Sequence, residues 1–329
     1  MDMNDELFNK LRESTLVNQA GVPYREFKKT LTPQWRTVWF QIAMGWAMLL
    51  ICNGLILLLS KRYVAMDVVL VVGGSPLIGY IIAYLQLFLH EAAHYNLHPE
   101  RNINDLLCNV FISGIVGQDV KNYRPIHWDH HRYLGTPRDT EITYFDPLDV
   151  KFLLEALLGI RALKVIFIRK QRLRSEKKER ETSAQVKTKP YTLIWGGCFN
   201  LVYVFLLLYF RQWPLLFAWT GGLLVFFPFF GALRQLLEHR DEYADPTVDY
   251  AVIEHGAIHR LFGDGLIANT LGGVGFNRHL LHHWEPQVSY TRLRELECYL
   301  IDTESAVYLR EHQTTYWQTF WRMFRPVWR

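Results

Sequence analysis

Apolar residues along the chain gather into two pairs of long runs separated by charged stretches. The first pair extends from about Val38 to Ser60 and from about Met66 to Leu89, joined by the polar link Lys61-Arg62-Tyr63. The second extends from about Tyr191 to Phe210 and from about Trp213 to Leu233, with Arg211 and Gln212 at the turn. Each run is long enough to cross a hydrocarbon core of roughly 30 Å as a helix, which satisfies every backbone polar group internally. The pattern predicts an all-α integral membrane fold with four transmembrane helices in two hairpins. Two weaker stretches, residues 105–117 and 152–168, are too short or too interrupted (Glu155, Arg161, Lys164) to span and read as interfacial or re-entrant helices.

Composition fits this reading. Half of the residues are hydrophobic, yet 36 Lys and Arg balance 32 Asp and Glu, as expected for spans joined to charged extramembrane segments. Residues 169–190, RKQRLRSEKKERETSAQVKTKP, are dense in Lys and Arg, so the positive-inside rule places that segment and both termini in the cytoplasm. One domain over residues 1–329 is expected: a cytoplasmic N-terminal segment (1–37), a first hairpin (38–89), a cytoplasmic helical cap (90–190), a second hairpin (191–233) and a second cap segment (234–329). Residues 1–37 lack an early apolar core, so no cleavable signal peptide is expected and the first span does the targeting. Cysteines 52, 108, 198 and 298 show no CxxC spacing, which argues against a disulfide scaffold.

The histidines change the picture from a membrane protein to a metalloprotein. LHEAAHYNLH holds His90, Glu91 and His94 in the order H-E-x-x-H; taken alone it matches the helix of a zinc protease, with Glu91 as general base. HWDHH adds His127, His130 and His131, and HLLHH adds His279, His282 and His283. Offsets of three and four residues share a helix face, so each H-x-x-H-H box is expected to present three imidazoles to one point. Eight imidazoles exceed what one tetrahedral zinc uses. Two metals sharing them would receive about four or five each, and ligand type alone leaves zinc, copper, iron and nickel open.

The order H-x-x-x-H, H-x-x-H-H, H-x-x-H-H, with the first box at the end of a second span and the last behind a second hairpin, resembles the membrane fatty acid desaturase superfamily. HEAAHYNLHPERNINDLL is similar to that family's first box with its trailing Asn-Asp, HWDHHRYLGTPRDTE to its second, and NRHLLHHWEPQVSYTRLREL to its third. The resemblance covers roughly Phe88 to Leu296. It implies a non-haem di-iron centre of two iron ions held by histidine, O2 as co-substrate, an external electron donor, and a lipid or acyl substrate. The reaction so implied is desaturation of a fatty acyl chain, with a hydroxylase or ketolase of a lipid or carotenoid as the alternative on the same scaffold. An intramembrane HExxH zinc protease and a non-catalytic metal-sensing receptor are more distant readings. No nucleic-acid partner is expected, and no catalytic side chain beyond the metal centre.

The family adds a ninth ligand between the last span and the third box. His239 in LRQLLEHRDE is the first candidate, with His255 and His259 as the alternative; His98 and His312 are read as supporting or surface groups. Glu91, Asp129, Asp139, Glu238 and Glu285 are candidate acceptors for the second ring nitrogens of the ligands. Arg132, Arg138, Arg234, Arg240 and Arg278 are expected to balance their charge. Residues 223–237 are expected to pack against lipid or to line an acyl tunnel, bent at Pro228. The chain carries neither a four-cysteine iron-sulfur motif nor a His-Pro-Gly-Gly signature, so electrons are expected from a separate ferredoxin-like or cytochrome-like partner.

Overall fold

The computed structural model describes residues 15–60, 63–161, 163–164, 167 and 191–324. Among them the chain is helical and contains no strand. The basic segment 169–190, on which the cytoplasmic orientation rests, lies outside the described residues, as do residues 162, 165, 166 and 168 of the stretch 152–168.

Four helices are long and apolar enough to cross a membrane: α2 (Trp35–Leu59), α3 (Val64–Ala93), α7 (Tyr191–Tyr209) and the continuous stretch Trp213–His239. The last is built of α8 (Trp213–Gly221), a π-helical turn (Gly222–Phe226) and α9 (Phe227–His239). The π turn ends just before Pro228, whose ring nitrogen has no proton to donate to the helix ladder. All four spans extend close to their expected limits. The last differs most, running on past Leu233 to His239.

The 30-residue helix α3 is central, packing against α2, α8, the π turn and α9. Close approach at Gly79 permits this: a Cβ there would lie 2.4 Å from Phe226 Cβ and 2.8 Å from the Gly222 carbonyl. Small residues at such crossings let backbones meet without a hydrophobic driving force between helices in lipid. The outward faces carry exposed Phe40, Leu50, Leu58, Leu201 and Phe205, the surface a bilayer would cover. At 1.5 Å per residue α3 is roughly 45 Å long, so its final turns project beyond the core.

Shorter helices complete the fold. They are α1 (Tyr24–Thr30), α4 (Arg101–Phe111), α5 (Val120–Tyr133), α6 (Val150–Leu157), α10 (Leu266–Leu271), α11 (His279–Trp284), α12 (Leu293–Ile301), α13 (Ala306–Glu311) and α14 (Tyr316–Met323). Of these, α4 and α5 pack against α3. The expected re-entrant stretch 105–117 comprises the end of α4 and a short 3-10 turn, Ser113–Val116, that packs on α7. A further short helix beside a span escaped the hydropathy pattern. Tyr80 Oη, ten residues before His90 in α3, donates to the Thr270 carbonyl of α10 at 2.5 Å, while Leu266 and Ile267 stay exposed. The six-residue helix α10 therefore lies beside a membrane span.

Candidate metal centre

The C-terminus of α3 leaves carbonyls without helical partners, and neighbouring side chains take them up. Arg124 donates to the Ala92 and Ala93 carbonyls and to Asp105, and Asn104 Nδ2 donates to the Ala92 carbonyl. Asn104 and Asp105, the Asn-Asp trailing the first box, thereby fix the turn that carries His90 and His94. Asp119 caps α5 by accepting from Lys121 N and Asn122 N, which sets the register of the second box. At α11, Leu280 and Leu281 bury into a core that also takes Leu16, Tyr24 and Leu31 from the N-terminal segment, and this fixes the third box.

Nine imidazoles, from α3 and its C-cap, α5, α9 and α11, gather at one place, and eight of them approach one another through Nε2. Nε2–Nε2 separations are 2.8 Å for His94–His127, 2.9 Å for His131–His127 and 3.1 Å for His282–His131. They are 3.3 Å for His130–His239, 2.9 Å for His279–His239 and 3.1 Å for His283–His279. The ring of His90 stands 4.3 Å from those of His127 and His282. The ligand atoms of His90, His94, His127, His131 and His282 form one convergent group, and those of His130, His239 and His283 form another, which His279 adjoins.

Each H-x-x-H-H box is thus divided between two groups, not aimed at one point as the spacing suggested. At about 100° per residue, offset four returns to within about 40° of the first residue, whereas offset three falls about 60° to the other side. His127 and His131 join the first group and His130 the second. In the third box the division is reversed: His279 and His283 lie with the second group and His282 with the first.

Several Nδ1 atoms face acceptors, whereas those of His94, His131 and His279 are buried without a hydrogen-bond partner. His130 Nδ1 lies 2.9 and 3.1 Å from the two Asp139 oxygens, and Asp139 also accepts from Tyr144 Oη at 2.5 Å. His127 Nδ1 lies 3.5 Å from Glu141 Oε1, whose other oxygen accepts from Gln235 Nε2. His239 Nδ1 donates to the Ile258 carbonyl at 3.2 Å, and His90 Nδ1 is 3.3 Å from Glu91 Oε1. A ring that gives its proton at Nδ1 presents a lone pair at Nε2. His130 and His239 would therefore hold two lone pairs 3.3 Å apart, an arrangement that a shared cation stabilises. His90 Nε2 is likewise buried with no hydrogen-bond partner. Two ligands of one ion bonding at about 2.1 Å stand roughly 3 to 4 Å apart, so the observed separations suit metal coordination.

Burial, reinforced by neighbouring imidazoles, pushes His94, His131, His279, His282 and His283 well below the ordinary histidine value. Burial also lowers His127, with Glu141 opposing. These rings are neutral at physiological pH, the form that binds metal.

Of the expected supporting carboxylates, Asp139 and Glu91 approach an Nδ1 atom. Asp129 instead lies 4.0 Å from Arg132, and Glu285 accepts from Tyr24 and Lys28, so neither supports a ligand. Glu141 and Tyr123 fill that place at His127 and were not singled out from the sequence, because only the fold brings them there. Among the arginines, Arg234 lies 3.8 Å from Glu238, Arg240 donates to backbone carbonyls, and Arg278 pairs with Asp264 and Glu297. His255 faces Tyr144, Tyr250 and the Asp241 amide, outside both groups. His259 stacks 4.5 Å from His283, and its ligand atoms belong to neither group. His98 accepts from Glu100 N, and His312 stacks on Tyr308.

Two cavities with no lining residue in common lie near the histidines. An apolar one of about 180 Å³ runs between α3 and α9, past Tyr80, Phe230 and Gly231 to Arg234, Leu237 and Tyr316. A polar one of about 900 Å³ reaches His131, His259 and His283 and is rimmed by Arg25, Lys28 and Arg132. No curated protein matches the chain. Residues 67–320 match the family model described as fatty acid desaturase, a stretch that contains all nine convergent histidines, and the chain belongs to the fatty acid desaturase family.

Proposed function

We propose that this protein is a membrane-bound di-iron oxygenase that desaturates a fatty acyl chain with O2 and externally supplied electrons. The convergence of nine imidazoles into two adjacent groups, with acceptors behind several of them, carries this reading. His90, His94, His127, His131 and His282 would hold one iron, and His130, His239, His279 and His283 the other. When bound, such a pair supplies the oxygen activation needed to remove hydrogen from an unactivated methylene.

The side chains do the rest. Asp139 and the Ile258 carbonyl fix the tautomers and planes of His130 and His239. Aromatic and aliphatic groups of α3 and α9 offer the acyl chain an apolar cavity, lined also by Leu89, next to His90, and by Tyr123, which stacks on His127. The basic rim of the polar cavity suits an acidic electron-donor protein, which would reach the centre past His131, His259 and His283. That face is the cytoplasmic one if residues 169–190 follow the positive-inside rule.

Expression in a host of defined lipid composition, followed by mass spectrometry of total acyl chains and pigments, tests the proposal. A product lighter by two hydrogens is expected, and one heavier by one oxygen assigns the hydroxylase alternative. Peptide cleavage by zinc-loaded protein that survives His130→Ala would overturn the oxygenase reading altogether.

A further inference from the structure

Glu238 is placed differently from the carboxylates that support the ligands. Asp139 sits behind His130, at Nδ1. Glu238 instead turns Oε2 toward the metal-facing atom of a histidine, 3.8 Å from His279 Nε2. His279 Nε2 also stands 2.9 Å from His239 Nε2 and 3.1 Å from His283 Nε2, so Glu238 joins the edge of the second group of donors. Oxygen and nitrogen ligands of one ion, each bonding at about 2.0 to 2.2 Å, reach this separation at an open ligand–metal–ligand angle.

The surroundings hold the carboxylate there. Glu238 is 1 % exposed. Its Oε1 accepts from Tyr316 Oη at 3.3 Å and lies 3.8 Å from Arg234 Nε, while the Arg234 guanidinium stacks 3.7 Å over Phe276. Arg260 donates to the backbone carbonyls of Leu237 and Glu238, fixing the helix end from which both Glu238 and His239 project. A buried anion with one cation 3.8 Å away is incompletely compensated, and a metal ion on its other oxygen would complete the compensation. The donor count agrees: the first group has five imidazoles and the second four.

Resting on the di-iron reading, we propose that Glu238 supplies a carboxylate oxygen to the second iron, so that one ion has imidazole donors only and the other has imidazoles and a carboxylate. An anionic oxygen donor is harder than imidazole and favours the more oxidised ion. The two irons are then inequivalent, and Arg234 and Tyr316, which hold the carboxylate, also line the apolar cavity.

Mössbauer spectroscopy of the full-length, iron-loaded protein in detergent, with iron counted per chain, tests this. The wild type should hold two irons and give two distinct doublets of equal area. Glu238→Gln should move or empty one doublet, leave the other in place as an internal sign of folding, and speed chelator removal of one iron by at least about tenfold. Glu238→Asp should restore two irons, and Tyr316→Phe should retain both doublets, since Tyr316 only orients the carboxylate. If Glu238→Gln does not accumulate, Glu238→His decides: a moved doublet supports ligation and two unmoved doublets overturn it. Two irons with an unchanged spectrum in Glu238→Gln would overturn the carboxylate ligand alone. A wild-type chain unable to hold two irons would overturn the di-iron reading and this proposal together.

Discussion

Asp139 accepts from His130 and from Tyr144, and it also accepts from the Glu141 amide at 2.8 Å, so one buried carboxylate ties a ligand to the loop that supplies Glu141. Its replacement by Asn keeps the shape but weakens the acceptor and adds N–H groups facing His130 Nδ1. Loss of such a partner costs metal affinity about ten- to hundredfold. Asp139→Asn should therefore fold and lose iron to a chelator at least tenfold faster than the wild type, as measured by competition at fixed pH. Glu91 calls for a smaller effect. It accepts from Asn96 Nδ2 at 3.0 Å and from Tyr290 N at 3.3 Å, and Gln preserves one acceptor oxygen for these donors. Glu91→Gln should weaken turnover without abolishing it, whereas His94→Ala, which removes a ligand, should abolish it. Equal abolition by both would return Glu91 to the general-base role that its H-E-x-x-H setting suggests. At this scale, sequence made the eight box imidazoles legible through their spacing, and it left the ninth between His239 and the pair His255 and His259. It did not reveal that Glu141 backs His127 or that Asp129, inside the second box, faces Arg132 instead. Those facts depend on how a loop returns to a helix.

Helical periodicity made the spans legible, and the same periodicity explains where the reading of the boxes fell short. Offsets of three and four share a face broadly, but two neighbouring groups of donor atoms resolve the roughly 100° between them. The helix α10 was illegible for another reason. Six residues are too few for a span signal, and only the Tyr80–Thr270 hydrogen bond places them beside α3. Packing along α3 and α9 separates two kinds of glycine. At Gly79 an added Cβ meets Phe226 Cβ and the Gly222 carbonyl, neither of which is the movable tip of a side chain. Gly79→Val should force the two spans apart, at a cost of about 1–3 kcal/mol or more, and lower the thermal midpoint in detergent. At Gly231 an added Cβ meets nothing within 4 Å, and the residue lines the apolar cavity. Gly231→Leu should fold normally, and its product profile should shift toward shorter acyl chains than those of the wild type. An unchanged profile would show that the chain does not pass Gly231.

Over the whole molecule, the neutral histidines form a store of groups that bind protons only after unfolding. Burial holds His94, His131, His279, His282 and His283 well below the ordinary value, and it lowers His259 to about 3. In an unfolded chain each titrates near 6.5. Between that value and the depressed folded one the unfolded state binds more protons, so stability falls as pH falls. Above about 6.5 neither state binds them and this contribution is flat. The polar cavity lets water and protons reach His131, His259 and His283, so protonation can begin at that face without prior unfolding of the spans. Metal on the ring nitrogens blocks the same protons and stabilises the folded state by mass action. Metal-free protein in detergent should therefore lose thermal stability steeply from pH 7 to pH 5 and change little from pH 7 to pH 8. The iron-loaded protein should keep its midpoint to lower pH. Paired thermal scans across that range check both statements, and identical acid profiles for the two forms would show that the histidines do not control stability.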